Sequence, residues 1–590
     1  MRRSYAVAGG AVLAAVVAAS LWLMLIPKLA LPAIQSRITE QLGRTLEVKG
    51  GARLSFAPLA FSLGQVSLSA PQGMEGPLVT ADTLRIPVGL PQLFGASPDL
   101  SLLTLEKADI ALLVDERDQV NWHFASVPGS PLALHLSNSA VRYFDARNNQ
   151  ALSLANVNGD LGVGSDGGLT FIGSSEINGR LARYDMELKS LARVHEDGSP
   201  ITLSFETPEI KAGFDGRLST VKVLNLVGPV DISITSLRQA ARWAGLGIED
   251  GRGFGPLTIS GALDSSGKAF AIRQANVTLD DVTVFGELAI DTRNATPKIQ
   301  AQLSAPTFAL DGFLPDSGAK PGDWGRSPLG FAALRAFDTE ITLETPSLTL
   351  GALKEQPARM VVSSTAGKFD ASLAVMPADG TRFVAEANID ATASPPSFAL
   401  TLNSDSASAG QVLQLLTGQD WVSGTGAISA ALSGSGDTQE QIIGTLKGKA
   451  SVTLGAGAIA GPDIVAMLGQ ASQRILTGWS LDTPSRTAFS SLAVDVTMAD
   501  GIATLGAAAL DAPGLKVSVT GDIDFLRRAV DLRADPKLIA ADQTLSGLPV
   551  KIVVNGPWGA PRIYPDVPGL LLNPQKGFET LKSMGLASGN

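Results

Sequence analysis

From about residue 46 onward, apolar side chains recur at every second position. Leu132, Leu134 and Leu136 follow this rule, as do Val282, Val284, Gly286, Leu288 and Ile290. So do Leu492, Val494, Val496 and Met498, then Val517, Val519, Gly521, Ile523 and Phe525, then Val530 and Leu532. A period of two puts the apolar set on one face of a β-strand and the Ser, Thr, Asp, Lys and Arg set on the other. Asp166-Gly167-Gly168, Asp197-Gly198 and Asp500-Gly501 punctuate the runs as hairpin turns do. The pattern predicts a long antiparallel meander with one apolar face.

Helical spacing is rarer. Leu31, Ile34, Ile38 and Leu42 share one face of a helix of about 15 residues that ends at Gly43. This helix either packs on the first strands or lies on a membrane surface. Ser236 is placed to cap a short helix over 237–245. Two more short helices are expected over 408–416 and 462–476. Residues 236–261 and 408–432 each read as short helix, glycine-containing loop and strand, at a spacing of roughly 170 residues. That is the period of a duplicated module rather than of a simple solenoid, with chance as the alternative.

Ahead of this body, residues 4–27 carry no charge. About 22 apolar residues at ~1.5 Å each span ~33 Å, enough to cross a hydrocarbon core of ~30 Å. Tyr5, Leu13, Val17, Leu21, Trp22 and Ile26 belong to this expected anchor, with Trp22 near its far end. A cleaved signal peptide ending at Val17-Ala18-Ala19 is the competing reading, but the apolar run continues past it to Ile26. Arg2 and Arg3 flank one side and Lys28, Arg37 and Arg44 the other, so charge alone leaves the orientation nearly tied.

Composition narrows the function. Cysteine is absent from all 590 residues, which removes thiolate chemistry and Cys-ligated metals. It also suits an oxidising compartment and favours an inward N-terminus with the body outside. The net charge of -10 and the scattered Lys and Arg argue against nucleic acid as a partner. Gly162-Val-Gly164-Ser-Asp-Gly167 matches a dinucleotide-binding fingerprint in letters, but the strand-like Leu169-Thr-Phe171 follows it, so a hairpin is expected. His123, His135 and His195 are the three histidines, and His195-Glu196 lacks the second histidine of a zinc-protease helix. No catalytic, metal or cofactor-binding residue is expected, and the chain is read as no enzyme.

Several phrases, in order, resemble the AsmA family of bacterial envelope proteins. They begin with Leu42-Gly43-Arg44-Thr-Leu-Glu-Val-Lys-Gly50 after the two N-terminal helices, and continue with Leu63-Gly-Gln-Val-Ser-Leu68. Asn121-Trp122-His-Phe124 is similar to the family's Asn-Trp-x-Phe element, and Leu136-Ser-Asn138-Ser-Ala-Val-Arg-Tyr143-Phe-Asp145 to its next strand pair. Residues 237–263, 446–461 and 511–536 resemble its middle and C-terminal regions, and Pro549-Val-Lys-Ile-Val-Val-Asn-Gly556-Pro-Trp-Gly-Ala-Pro561 its close. The resemblance implies an inner-membrane anchor and a periplasmic, groove-like β-sheet. It also implies a part in outer-membrane assembly and phospholipid movement, related to bridge-like lipid carriers, with no catalytic motif to carry over.

The expected fold class is therefore mainly β: an N-terminal transmembrane helix, then an elongated, curled antiparallel sheet with a few short helices. The expected segments are an anchor over 1–27, an amphipathic helix and first β-segment over 28–130, and a central groove over 131–405. A C-terminal β-region over 406–572 and a tail over 573–590 complete the chain. Val282, Val284, Leu288, Ile290, Val517, Val519 and Ile523 are the expected groove lining. Membrane lipids, phospholipid above all, the inner membrane and other envelope proteins are the expected partners. A filled β-sandwich acting as an envelope scaffold is the alternative.

Overall fold

The computed structural model describes residues 22–566, apart from 23–24, 41, 57, 72, 75, 90, 92–100, 123–131, 178, 244–253, 314–323, 352, 377–381, 418–419, 461–485, 540–544 and 548–550; it also describes 575, 579 and 582. The protein is mainly β, with its strands in one mixed sheet and few helices. Two compact units divide it. The first holds residues 1–244, 255–278 and 287–293, and the second 245–254, 279–286 and 294–590.

In the first unit, Leu46–Val48 and Ala52–Phe56 both pair with Leu59–Ser69, which pairs with Pro77–Pro87 and so with Leu102–Val114. Leu102–Val114 then runs parallel to Leu132–Asp145. Antiparallel neighbours continue in series from Gln150–Val163 through Leu169–Ile177, Arg180–Leu188, Ser199–Glu206, Ile210–Ser219 and Asn225–Ile234 to Leu257–Ser266. In the second unit, Lys298–Ser304 runs parallel to Asp338–Leu350. An antiparallel series leads on from there to Ile552–Pro557 and Arg562–Pro565.

The parallel junctions correct the expectation of a purely antiparallel meander. Alternation fixes which face a side chain takes, not the direction of its strand. Pairing two strands in parallel needs a crossover connection of about a dozen residues or more, and both junctions have one, residues 115–131 and 305–337.

Residues 25–40 are helical, and Gly43 closes the turn at φ 62°, with its N–H donating to the Thr39 carbonyl at 2.9 Å. The helix packs on the first strands. Ile34 (1% exposed) and Ile38 sit against Phe61, Leu63 and Ile86, each fully buried, and Gln35 Nε2 donates to the Leu46 carbonyl at 2.9 Å. Ile26, at the far end of the expected anchor, is buried in this same cluster, and Trp22 is half exposed. Tyr5, Leu13, Val17 and Leu21 lie outside the described residues. Among the described residues no helix is long and apolar enough to cross a membrane.

The short helices fall at Leu237–Trp243, where Ser236 Oγ accepts from the Gln239 N–H at 3.3 Å, and at Ala409–Thr417. Each is set between two antiparallel neighbouring strands. The expected helix over 462–476 and the tail lie outside the described residues. The glycine-rich run at 162–167 is a hairpin turn, between the antiparallel strands Gln150–Val163 and Leu169–Ile177.

Strand bending is concentrated in seams. Gln65, Lys107, Asn138 and Asn156 all take left-handed φ (46–52°) in four of the first five long strands of the first unit. The pairing skips at these positions. At Asn138 and Asn156 the register also shifts by one residue, as at a β-bulge, which bends a strand locally. Asn138 N–H donates to Asn158 Oδ1 at 2.9 Å and Ser139 Oγ accepts from the Ala108 N–H at 3.2 Å, which satisfies backbone groups that the skipped register releases.

Candidate functional site: an apolar track across the strands

Register, more than any single strand, builds the site. In the second unit Leu303, Leu343, Met360, Leu373, Ala385, Leu402, Ala430, Ala450 and Val496 face one another across successive strands. The row continues through Leu505, Gly521 and Leu532 to Val554. A second row runs Ile428, Val452, Val494, Ala508, Val519, Ala534 and Ile552. The first unit repeats the pattern with Leu103, Leu134, Leu161, Phe171, Met186, Leu203, Phe214 and Val230. Each row crosses the strands at right angles, so each unit carries an unbroken apolar track.

The opposite face is solvated and mostly polar, with Ile172, Leu181, Val361 and Ile502 exposed among its polar side chains. Thr504 Oγ1 donates to Asp522 at 2.7 Å, and Arg359 pairs with Glu344 at 3.6 Å. Thr283 and Ser518 alternate with the track residues, and Ser518 is exposed.

Burial along the track is uneven, and this decides what it can hold. Under the helix of residues 25–40 the face is filled. Beyond it, Phe214 and Val230 are buried in a second cluster with Val194 and Ile201, against which Met186 and Leu203 pack, while Leu161, Phe171, Met186 and Leu203 stay partly exposed, as do Leu373, Leu400, Leu432, Val496 and Val519 in the second unit. A sandwich core would bury such side chains. Where the second unit is packed, Leu454, Leu510, Leu515 and Val517 gather around the helix Ala409–Thr417.

The expected lining residues fall as follows. Val517 is buried in that packed cluster, Val519 is half-buried beside it, and Ile523 stands in register with Ala503 and Val530. Strand Val282–Asp291 is divided between the units. Val284 is buried, Val282 and Leu288 are half-buried, and Ile290 is exposed.

At the strand ends of the first unit lies a polar cluster that the sequence did not reveal. Asp145 is fully buried and accepts from Arg147 Nε at 2.9 Å, Arg147 Nη2 at 2.7 Å and Asn148 Nδ2 at 3.2 Å. Burial alone would raise its carboxyl, but the hydrogen bonds and charge of Arg147 outweigh that and hold it below the usual carboxylate range. Arg147 also bonds Asp118 and the carbonyls of Thr220 and Val221, the last two at 2.9 Å. His195 reaches Thr220 Oγ1 and the Asp118 carbonyl, each at 3.1 Å. Asn121 Oδ1 accepts from the Leu113 N–H at 2.9 Å and its Nδ2 donates to the Ala111 carbonyl at 2.7 Å, so this side chain stands in for a neighbouring strand. The Trp122 ring packs 6.1 Å from Tyr143. Burial and the nearby Asp145 push the Tyr143 phenol up.

His135 pairs with Asp160 at 2.7 Å on the solvated face, and His123 lies outside the described residues. Among the described residues no three His, Cys, Asp or Glu side chains lie together as metal ligands would.

Fold and site define a β-sheet protein with one solvated face and one apolar track. Comparison with known proteins gives the family. The model of the AsmA family matches residues 1–163 and 332–507. Protein AsmA of Escherichia coli (strain K12) is 21% identical over 579 residues, covering 88% of this chain and 86% of that protein. No solved structure matches. The chain belongs to the AsmA family, whose members are envelope-associated.

Proposed function

We propose that the chain is an inner-membrane-anchored periplasmic protein that handles or conducts phospholipid along its apolar track and so supports outer-membrane assembly. The observation that carries this reading is the continuous, partly exposed apolar row in register across the strands of each unit. An acyl chain laid on such a row gains roughly 0.8 kcal/mol for each CH₂ it buries. The small side chains at Ala385, Ala430, Ala450 and Gly521 leave room above the sheet and select no particular chain. Family membership and the uncharged run over residues 4–27 support the envelope setting and the anchor. No step of this function needs a catalytic group or a cofactor.

Native mass spectrometry of the detergent-extracted protein tests the reading. Phospholipid adducts are expected to persist on the folded protein and to disappear as the detergent strips the track. A folded protein that carries no lipid under the mildest extraction contradicts it. A scaffold role is the second reading, favoured by the filled cluster beneath residues 25–40.

Topology has its own test. Ser165 is exposed in a turn, and the chain has no native cysteine. In intact spheroplasts Ser165→Cys is expected to react with a membrane-impermeant thiol reagent. Labelling that needs lysis would place the body in the cytoplasm.

A further inference from the structure

We propose that the polar cluster at Arg147 is the latch of a gate over the apolar face of the first unit. The inference rests on the lipid-handling reading and names how that site is opened. Two sets of strand-end segments meet there. Residues 115–122 and 145–149 form one jaw, and residues 191–195 and 220–224 form the other. The register shifts at Asn138 and Asn156 lie in the two strands joined by residues 145–149, and that strand end meets the second jaw. Between the jaws, Val114, Trp122 and Tyr143 from one side touch Leu191 and Leu224 from the other.

The bonding is arranged for parting. Arg147 keeps its two carboxylate partners, Asp145 and Asp118, within its own jaw. Across the gap it donates to the neutral carbonyls of Thr220 and Val221. His195 adds its contact with Asp118. Among the described residues no backbone-to-backbone hydrogen bond joins the jaws. Opening therefore leaves Arg147 with both of its carboxylates, and the freed carbonyls meet water. Shutting has its own cost. Among the described residues, Trp122 Nε1 and Gln150 Oε1 are buried without a hydrogen-bond partner. A buried unpaired donor or acceptor is unfavourable; once the jaws part, water would satisfy either, and the ester oxygen of a lipid would accept from Trp122 Nε1.

The test uses the full chain, into which the exposed Glu116 and Lys222 are each changed to Cys, one in each jaw. Spin labels at the two sites are expected to give a short and a long distance. The long component should grow with Arg147→Met, with the milder His195→Ala, and on adding vesicles of phosphatidylethanolamine and phosphatidylglycerol. A single short distance, unmoved by either substitution and by the vesicles, overturns the gate. In a second arm a cleavable bifunctional thiol reagent joins the two cysteines. Phospholipid capture by a photo-crosslinker at Leu203 is expected to fall at least tenfold and to return on cleavage. Undiminished capture in the joined protein overturns the gate while leaving the lipid reading intact. Absence of capture in the unjoined protein overturns the lipid reading, and the distance arm then decides by itself whether the jaws part.

Discussion

Val519→Asp is expected to abolish rescue of envelope integrity in a deletion strain while the protein accumulates at near-normal level. Val519 stands in the second transverse row, between Ala508 and Ala534, and is only half-buried. A carboxylate there reaches solvent by a rotamer change, so the loss of stability stays at about 1–3 kcal/mol. An acyl chain has no such escape, because it must either desolvate the charge or leave the track. Ser518 is the neighbour on the solvated face, and Ser518→Asp is expected to behave as wild type. Immunoblotting for abundance and a detergent-sensitivity assay for function check the pair. If Val519→Asp disappears from the cell and the defect follows its abundance, the face is a packed core and the track reading fails.

The second large effect lies in the first unit, under the N-terminal helix, where the apolar face is filled. Ile34→Asp is expected to cost more than about 4 kcal/mol, since it removes a fully buried side chain and leaves an unpaired charge among apolar neighbours. Ile34 is 1% exposed and belongs to the cluster of Phe61, Leu63 and Ile86. The N-terminal strands should lose their cover, become sensitive to limited proteolysis, and take the protein below detectable abundance. Ile34→Val, at about 1 kcal/mol, should be tolerated, and so should Arg37→Ala on the exposed side of the helix. Normal abundance of Ile34→Asp would mean that this helix does not hold the first strands. The two acidic substitutions are thus expected to fail in different ways, one by obstruction and one by unfolding.

The contrast also shows what could be read in advance. Alternation assigned the strand faces, because a period of two is a geometric property of each strand alone. Leu31, Ile34, Ile38 and Leu42 marked the packed face of the N-terminal helix and Gly43 its end, for the same local reason. Strand direction was not legible. The parallel pairing of Leu102–Val114 with Leu132–Asp145 depends on where the chain goes between them, and side-chain pattern carries no record of that path. Cross-strand register was equally hidden, so Val517, Val519 and Ile523 were found as members of one strand but not as members of rows shared with Leu510, Ala508 and Ala503. The jaws were hidden most completely. Asp118 and His195 are 77 residues apart, and local pattern carries no record of a contact at that separation. Asn138 and Asn156 inside strand-like runs were the available signal, since asparagine tolerates the left-handed φ a bulge needs.

Parity of lipid capture tests the central claim most directly. Photo-crosslinking residues are placed one at a time at Val519 and Ser518, and at Val496 and Thr497, in the full-length protein in living cells. The account predicts that phospholipid is captured at Val519 and Val496, and that Ser518 and Thr497 stay at background. Equal capture at both members of each pair, or background at all four in a protein of normal abundance, would contradict it.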